Sequence, residues 1–438
     1  MKHFLKRLIT SPIFIVGFAF ALRLVAMWFM WHQAPVPIRA NLPYGFELGR
    51  VARAIASGEG FSSPLRDIDS GPTAWFTPIY PYFVAGIFKI WGIYTNTSRF
   101  VIAATNCLFA ALTIFPIYGI ARRAFGEAAA IGASWIWVIL PGAIHFPILW
   151  IWDTALTALF FALIFWGTLA LRGVRDLPPW AGYGALWVTG GLINPSILSL
   201  FPFFLGWLLW NERKESGLWV RHAAAVLLLF TIGLVPWTVR NYRAFGKIIV
   251  LRSNFGLELW LGNNPNVFDM LSQMSHPNDN AEEAAKFTQM GEIAYMAEKQ
   301  HEAFAFMRTH PAATIINIFH RFVDIWLSQT DSLVDIWAGT SLYGKMLLTF
   351  NCMLSLMGLL GVLYAHRSRN PDAAPFGMVL LIFPVIFYLT HSSPRYRFPM
   401  DPIIVVLAAS SVAHLLSARF GSSRKTKVTE PLPSVPAS

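Results

Sequence analysis

Apolar runs of about 20 residues recur along the chain, separated mostly by short turns that carry arginine and lysine, and a run of that length crosses the hydrocarbon layer of a bilayer as a helix. Runs near 12–31, 99–121, 127–145, 148–171, 180–196, 197–210, 218–237, 342–365, 375–391 and 401–418 are read as spans. The pattern therefore predicts an all-α integral membrane fold, with about ten transmembrane helices. Two further apolar stretches, 78–94 and 312–328, are amphipathic and are predicted to lie along the outer surface or dip into it.

The sidedness follows from the basic turns. Positive clusters sit at the N-terminus, at Arg122-Arg123, at Arg172 and Arg175, at Arg213 and Lys214, at Arg367 and Arg369, and at Arg424-Lys425 with Lys427. Placing all of them in the cytoplasm fixes one crossing out and one back between successive clusters. Both termini are then expected inside the cell. The first span contains Ala19-Phe20-Ala21, a signal-peptidase-like triplet, but the apolar run continues past it and is read as an uncleaved anchor.

Composition agrees with the bilayer as solvent: of 438 residues, 55% are hydrophobic and only 13% charged. The net charge of +11 lies mostly in the inner turns and the tail, so orientation accounts for it and no nucleic-acid partner is implied. Cys107 and Cys352 both fall inside predicted spans, which excludes a disulfide framework. Residues 1–420 are expected to form one polytopic domain and 421–438, with three prolines at the end, a disordered cytoplasmic tail.

Two outer segments, about 32–98 and 238–341, are far longer than turns require, and long loops usually carry function. Between Tyr44 and Ser57 a short helix is predicted, with Glu47 near the end of the first span and Arg50 and Arg53 at i+3 and i+6 on nearly the same face. These arginines are placed to hold Glu47; an ordinary exposed helix pair is the alternative reading. The second segment opens on Pro236-Trp237-Thr238-Val239-Arg240-Asn241-Tyr242-Arg243, with Lys247 and Arg252 extending the positive field. Trp260-Leu261-Gly262-Asn263-Asn264-Pro265 is read as a tight turn with exposed amides, and 281–308 as a polar, solvated helix.

A third outer feature, His391-Ser392-Ser393-Pro394-Arg395-Tyr396-Arg397-Phe398-Pro399, breaks the inside-positive trend with two arginines. Arginine offers planar, bidentate donors to phosphate, and snorkelling toward headgroups is the plainer role. Inside the membrane, Arg23 and Asp153 are the clearest ions, read either as a pair or polar pocket or as structural groups, with His145 a weaker third. No zinc spacing, phosphate loop, nucleophile elbow or dinucleotide fingerprint stands in a credible context.

The ordered motifs Tyr44 to Glu47, Ala56-Ser57-Gly58-Glu59-Gly60-Phe61, Pro72-Thr73-Ala74-Trp75, Pro78-Ile79-Tyr80-Pro81, the Pro236–Tyr242 segment, Gly262-Asn263-Asn264-Pro265 and Pro394–Pro399 carry a resemblance along almost the whole chain. It resembles the bacterial membrane glycosyltransferases of the C-type fold that use polyprenyl-phosphate sugars, relatives of protein O-mannosyltransferases and lipid A aminoarabinose transferases. That resemblance implies a catalytic carboxylate in the first outer loop, at Glu47.

Some relatives carry paired acids at this place, where this chain has Phe46 and Leu48, so the base is expected to be metal-independent; no metal ligands are assigned, and use of a divalent cation stays open. Arg240, Arg243, Arg395 and Arg397 become candidates for holding the donor phosphate. Trp75, Tyr80, Trp260, Asn263 and Tyr396 become candidates for sugar or acceptor contacts, with interface anchoring as the alternative for the aromatics. The implied reaction is transfer of one sugar, with inversion, from a polyprenyl-phosphate donor to a hydroxyl of a lipid, protein or glycan at the outer face. A flippase or transporter for lipid-linked glycans, and an oligosaccharide ligase or polymerase, are the competing readings. Polar residues gather in the outer loops rather than mid-membrane, which favours catalysis over transport.

Overall fold

The computed structural model describes residues 7–33, 44–66, 68–149, 151–215, 217–267, 275–327 and 342–425. In chain order its helices are α1 (Pro12–Gln33), α2 (Phe46–Ala56), α3 (Ile79–Trp91), α4 (Asn96–Leu112), α5 (Ile114–Phe125), α6 (Glu127–Ile139), α7 (Pro141–Leu149), α8 (Thr154–Ala170) and α9 (Leu177–Ile193). A 3-10 turn, Pro195–Leu200, leads into α10 (Phe201–Glu215), followed by α11 (Trp219–Phe245), α12 (Phe255–Gly262), α13 (Ala281–Met290), α14 (Glu292–Thr309) and α15 (Pro311–Leu327). The described chain closes with α16 (Leu342–Arg367), α17 (Ala373–Ile382), α18 (Val385–Leu389) and α19 (Asp401–Lys425).

Each predicted span falls on one of these helices or on a broken pair of them. Among the described residues five helices are long and apolar enough to cross a membrane, among them Asn96–Phe125, in which α4 and α5 run on as one, and α6 with α7, bent by 45°, adds a sixth. The predicted spans at 148–171, 180–196 and 197–210 are met by shorter helices of 17, 17 and 15 residues. The last helix continues through residue 425, so 421–425 are helical rather than tail, and 426–438 lie outside the described residues.

The two predicted surface helices are α3, of 13 residues, and α15, of 17. In α15 the polar side faces inward, with Thr314, Asn317, Arg321 and Asp324 buried, while Ile315, Ile316, Phe319 and Phe322 are exposed. An inverted amphipathic helix of this kind suits the membrane interface, where lipid covers the apolar face.

Arg23 does not pair with Asp153. It is fully buried in α1 and donates from Nε to Ala143 O at 2.8 Å and from Nη2 to Trp137 O at 3.1 Å. In a helix those two carbonyls would receive the N–H groups four residues on, which here are Pro141 and Pro147 and have none. The guanidinium thus replaces the two hydrogen bonds that the prolines delete at the α6–α7 bend. Its third donor, Nη1, closes on Ala19 O of its own helix at 3.0 Å.

Three of the basic turns meet at one end of the bundle. Asp372 accepts from Arg172 Nη1 at 2.7 Å and lies 3.5 Å from Arg123 Nε, and Asn370 Nδ2 donates to Ala124 O at 2.7 Å. The 30-residue Asn96–Phe125 helix separates this end from its Asn96 end by about 45 Å at 1.5 Å per residue. The Asn96 end lies beside Tyr94, whose carbonyl accepts the Tyr44 hydroxyl at 2.6 Å at the head of the first outer segment.

Candidate active site

The predicted helix between Tyr44 and Ser57 is α2, and a glycine sets where it begins. Gly45 has φ +90°, and a Cβ there would run into the carbonyl of Ile151. Only glycine can take both that backbone and that approach, which brings Glu47, in the first turn, next to the 151–153 segment. Glu47 is mostly buried, at 12% side-chain exposure.

Neither arginine of α2 touches it. Arg53 pairs with Glu59 at 2.8 Å, and Arg50 donates to Pro64 O at 3.0 Å and to Asn278 Oδ1 at 2.8 Å. The partner of Glu47 Oε1 is instead Asn278 Nδ2, at 2.5 Å, with His276 Nδ1 at 3.9 Å. Both residues come from 275–280, a stretch that no sequence motif singled out.

A second acid lies close by. Glu258 on α12 accepts from Asn254 Nδ2 at 2.6 Å and faces His391 Nδ1 at 3.0 Å, while His391 Nε2 is 3.0 Å from the Tyr396 hydroxyl. Burial alone pushes the Glu258 pKa up, yet His391 beside it, with Arg252 further off, brings it down to about 2. Asp153 accepts from Asn194 Nδ2 at 3.0 Å and is within electrostatic reach of both Arg252 and Arg395. Arg252 Nε donates to Trp75 O at 2.7 Å, and the Arg395 guanidinium lies 4.2 Å from the centre of the Trp152 ring.

The four arginines expected to hold phosphate thus divide. Arg395 stands in the cluster, whereas Arg243 is exposed on the last turn of α11 with no partner among the described residues. Arg240 is committed to backbone: Nη2 donates to Phe61 O at 2.5 Å and Nη1 to Thr73 O at 2.6 Å, with its guanidinium 5.1 Å from the Trp237 ring. Arg397 is 1% exposed and donates to Asp401 Oδ1 at 2.7 Å and to Trp326 O and Ser355 Oγ at 2.8 Å each. These two spend their guanidinium donors on fastening segments together. Arg252, read from sequence only as part of a positive field, takes their place beside Arg395.

The expected sugar contacts are corrected in a similar way. Tyr80 is fully buried and donates to Asn106 Oδ1 at 3.0 Å, and Trp75 is packed between Phe287 and His276, 5.7 Å from each ring. Trp260 is covered by the Lys299 ammonium, 4.0 Å from its ring centre. Asn263 is buried, with Nδ2 on Leu259 O and Leu389 O at 2.8 Å each and Oδ1 accepting from Arg321 at 3.2 Å. Gly262 packs so closely on Thr390 O that any side chain there would collide, which ties α12 to the end of α18. The 260–265 segment is therefore a helix end with its amides buried, not a turn that displays them; Asn264 likewise donates to Trp260 O at 2.9 Å. Of the five expected contacts, Tyr396 alone lines the cluster, half-buried beside His391.

The helix expected at 281–308 is broken at Gly291 into α13 and α14 and is not solvated throughout. Glu292, 5% exposed, accepts from Thr73 Oγ1 at 2.5 Å, Ala74 N at 2.7 Å and Ser253 Oγ at 2.6 Å. Burial pushes its pKa up against those donors and the nearby Arg240. Lys299, 1% exposed, pairs with Glu283 at 2.9 Å and Glu302 at 3.0 Å. Through Glu292, α14 joins the 73–74 stretch to Ser253 and so ties the two long segments together. Among the described residues no three His, Cys, Asp or Glu side chains converge in a metal-binding group.

The chain has the C-type glycosyltransferase fold, that of a multi-pass membrane protein. Residues 74–239 match the family described as dolichyl-phosphate-mannose-protein mannosyltransferase. Among solved structures, the archaeal oligosaccharyltransferase AglB from Archaeoglobus fulgidus, in complex with an inhibitory peptide and a dolichol-phosphate, superposes with TM-score 0.57 at 15% identity over 97% of this chain. The apo form of the Archaeoglobus fulgidus oligosaccharyltransferase gives TM-score 0.55 at 14% identity, also over 97%. In both cases the chain spans about half, 52%, of the length of the structure it matches. ArnT from Cupriavidus metallidurans bound to undecaprenyl phosphate superposes more loosely, TM-score 0.35 at 12% identity, over 94% of this chain and 81% of that one. No curated protein matches the sequence.

Proposed function

We infer that this protein transfers a sugar from a polyprenyl-phosphate donor to an acceptor hydroxyl at the outer face of the membrane. The observation that carries the reading is the gathering, on a C-type glycosyltransferase fold, of a mostly buried carboxylate at Glu47 with Arg252 and Arg395. A lipid phosphate is already a good leaving group, so catalysis needs a base for the acceptor and cations for the phosphate. Glu47 takes the acceptor proton as the acceptor oxygen bonds to the anomeric carbon. The bond from that carbon to the phosphate oxygen breaks with its electron pair going to phosphate, held by Arg252 and Arg395. Attack opposite the leaving group inverts the centre.

Sidedness supports the same reading. Arg123, Arg172 and Asp372 meet at the end of the bundle remote from this cluster, as inside-positive turns require. The donor side is then the periplasmic face of a bacterial inner membrane, with both termini cytoplasmic.

A second reading, transfer of a preassembled oligosaccharide, is favoured by the oligosaccharyltransferase superpositions. Protein in nanodiscs, offered a panel of undecaprenyl-phosphate hexoses and pentoses and a lipid-linked oligosaccharide extract, decides between them by the mass added to the acceptor. Glu47→Gln is expected to lose about 10²–10⁴-fold in kcat, the usual contribution of a positioned base. Wild-type turnover by that variant would remove Glu47 from the role.

A further inference from the structure

We propose that Asn278 is the positioning residue for Glu47: its side-chain amide fixes which carboxylate oxygen takes the acceptor proton. This rests on the reading of Glu47 as the base. The amide has one acceptor and two donors, and the two ends of Asn278 face different chemistry. Its Oδ1 accepts from Arg50 Nη1 at 2.8 Å and from the backbone N–H of Arg66 at 3.1 Å. A guanidinium and a peptide N–H only donate, so the oxygen must face them and the nitrogen must face Glu47. Nδ2 then donates to Glu47 Oε1 at 2.5 Å. Among the described residues Oε2 makes no hydrogen bond, which leaves it as the proton-accepting atom.

The other group facing this carboxylate does not compete for the task. His276 Nδ1 lies 3.9 Å from Oε1 but accepts the backbone N–H of Asn278 at 3.2 Å, so it presents no proton to Glu47. The remaining charges of α2 are occupied elsewhere, Arg53 by Glu59 and Arg50 by Asn278 itself. The turn that carries Asn278 is closed by the N–H groups of Asp279 and Asn280 on His276 O, at 2.8 and 3.0 Å. Asn280 in turn caps α13, its Oδ1 accepting from Glu282 N at 2.9 Å.

The amide also acts as a spacer. A direct Arg50–Glu47 ion pair would hold the carboxylate strongly in its charged form and weaken it as a base. One amide between them transmits orientation and a single neutral donor, while the guanidinium is kept off the reacting group.

The test uses the full chain in nanodiscs with undecaprenyl-phosphate mannose, or whichever donor of the panel turns over. Asn278→Ala and Asn278→Asp are expected to lower kcat by about tenfold or more, a fraction of what a positioned base contributes. Donor KM is expected to change by less than roughly twofold, since the lost interaction serves the transition state. The acidic limb of the pH profile of kcat/KM moves to higher pH, furthest for the aspartate, whose charge faces a carboxylate. Asn278→Gln, which keeps the amide, restores the limb and part of kcat.

Should the alanine variant fail to fold, the Gln variant, which keeps an amide donor on a side chain one methylene longer, and the Asp variant, which replaces the donor with a charged oxygen, still decide. Loss of kcat with a lowered melting temperature and an unmoved pH limb would mean a merely structural residue and overturn the proposal. If Glu47→Gln is inactive while all Asn278 variants keep wild-type kcat and profile, this inference alone fails. If Glu47→Gln is fully active, the reading beneath it fails.

Discussion

Arg395 and Arg397 stand two residues apart on one short turn and do opposite things: the first lies over Trp152 at 4.2 Å in the cluster, and the second is buried on Asp401 at 2.7 Å. Arg395→Ala and Arg252→Ala should therefore raise the donor Kd by about tenfold or more with melting temperature little changed, since charge-assisted bonds to phosphate contribute roughly 1.5–3 kcal/mol. Arg240→Ala and Arg397→Ala should instead lower stability, each by about 1–3 kcal/mol, through orphaned buried partners. Ligand-binding and thermal-melting measurements on the four variants separate the two groups, and equal donor Kd effects across all four would contradict the division.

Glu258 is depressed, with a folded pKa of about 2 against an ordinary value of 4.5, so it contributes stability above about pH 4.5 that is lost as pH falls toward 2. Thermal melting in detergent should show that loss, and His391→Gln should flatten the dependence in this window. An unchanged slope in His391→Gln would show that the imidazole is not what holds the carboxylate down.

The sign is reversed at Glu292. Its folded pKa is raised, so its ionised form opposes folding, and stability falls as pH rises through the folded value. Glu292→Gln can still accept from Ala74 N and Ser253 Oγ and donate to Thr73 Oγ1, and is expected to be at least as stable as wild type at neutral pH. Glu292→Ala strands three buried donors and should lose on the order of 1–3 kcal/mol for each. Melting curves of the two variants check both statements.

Arg23→Met leaves the carbonyls of Trp137 and Ala143 without a donor in the membrane, a loss on the order of 2–4 kcal/mol. The expected result is a low yield of monodisperse protein and a reduced melting temperature. Restoring the deleted N–H groups by Pro141→Ala with Pro147→Ala should recover part of that loss.

The helices at the apolar runs, α3 and α15, and the helix carrying Glu47 were legible because each is written locally, as an apolar run, an amphipathic period or a Gly-bounded segment. The roles of the arginines were not. Arg240 and Arg395 are the same side chain in similar segments between apolar runs, and only contacts 167 or more residues away bind the first to Thr73 and Phe61. Asn278 and His276 carried no signal, since a single amide and imidazole in a polar loop match no spacing rule. Arg23 was visible as an intramembrane charge and Pro141 and Pro147 as breaks, but which donor serves which carbonyl depends on how α1 packs.

Glu292 meets Thr73 across 219 residues, and Asn278 meets Glu47 across 231. During synthesis the first outer segment leaves the ribosome long before either partner exists, and contacts so far apart in sequence are closed late. The half-made chain thus carries an acid with nothing to aim it. Arg252 and Arg395 also follow the first segment in sequence, so under the proposed reading neither the aimed acid nor the phosphate-holding cations exist until residues 252–395 are in place.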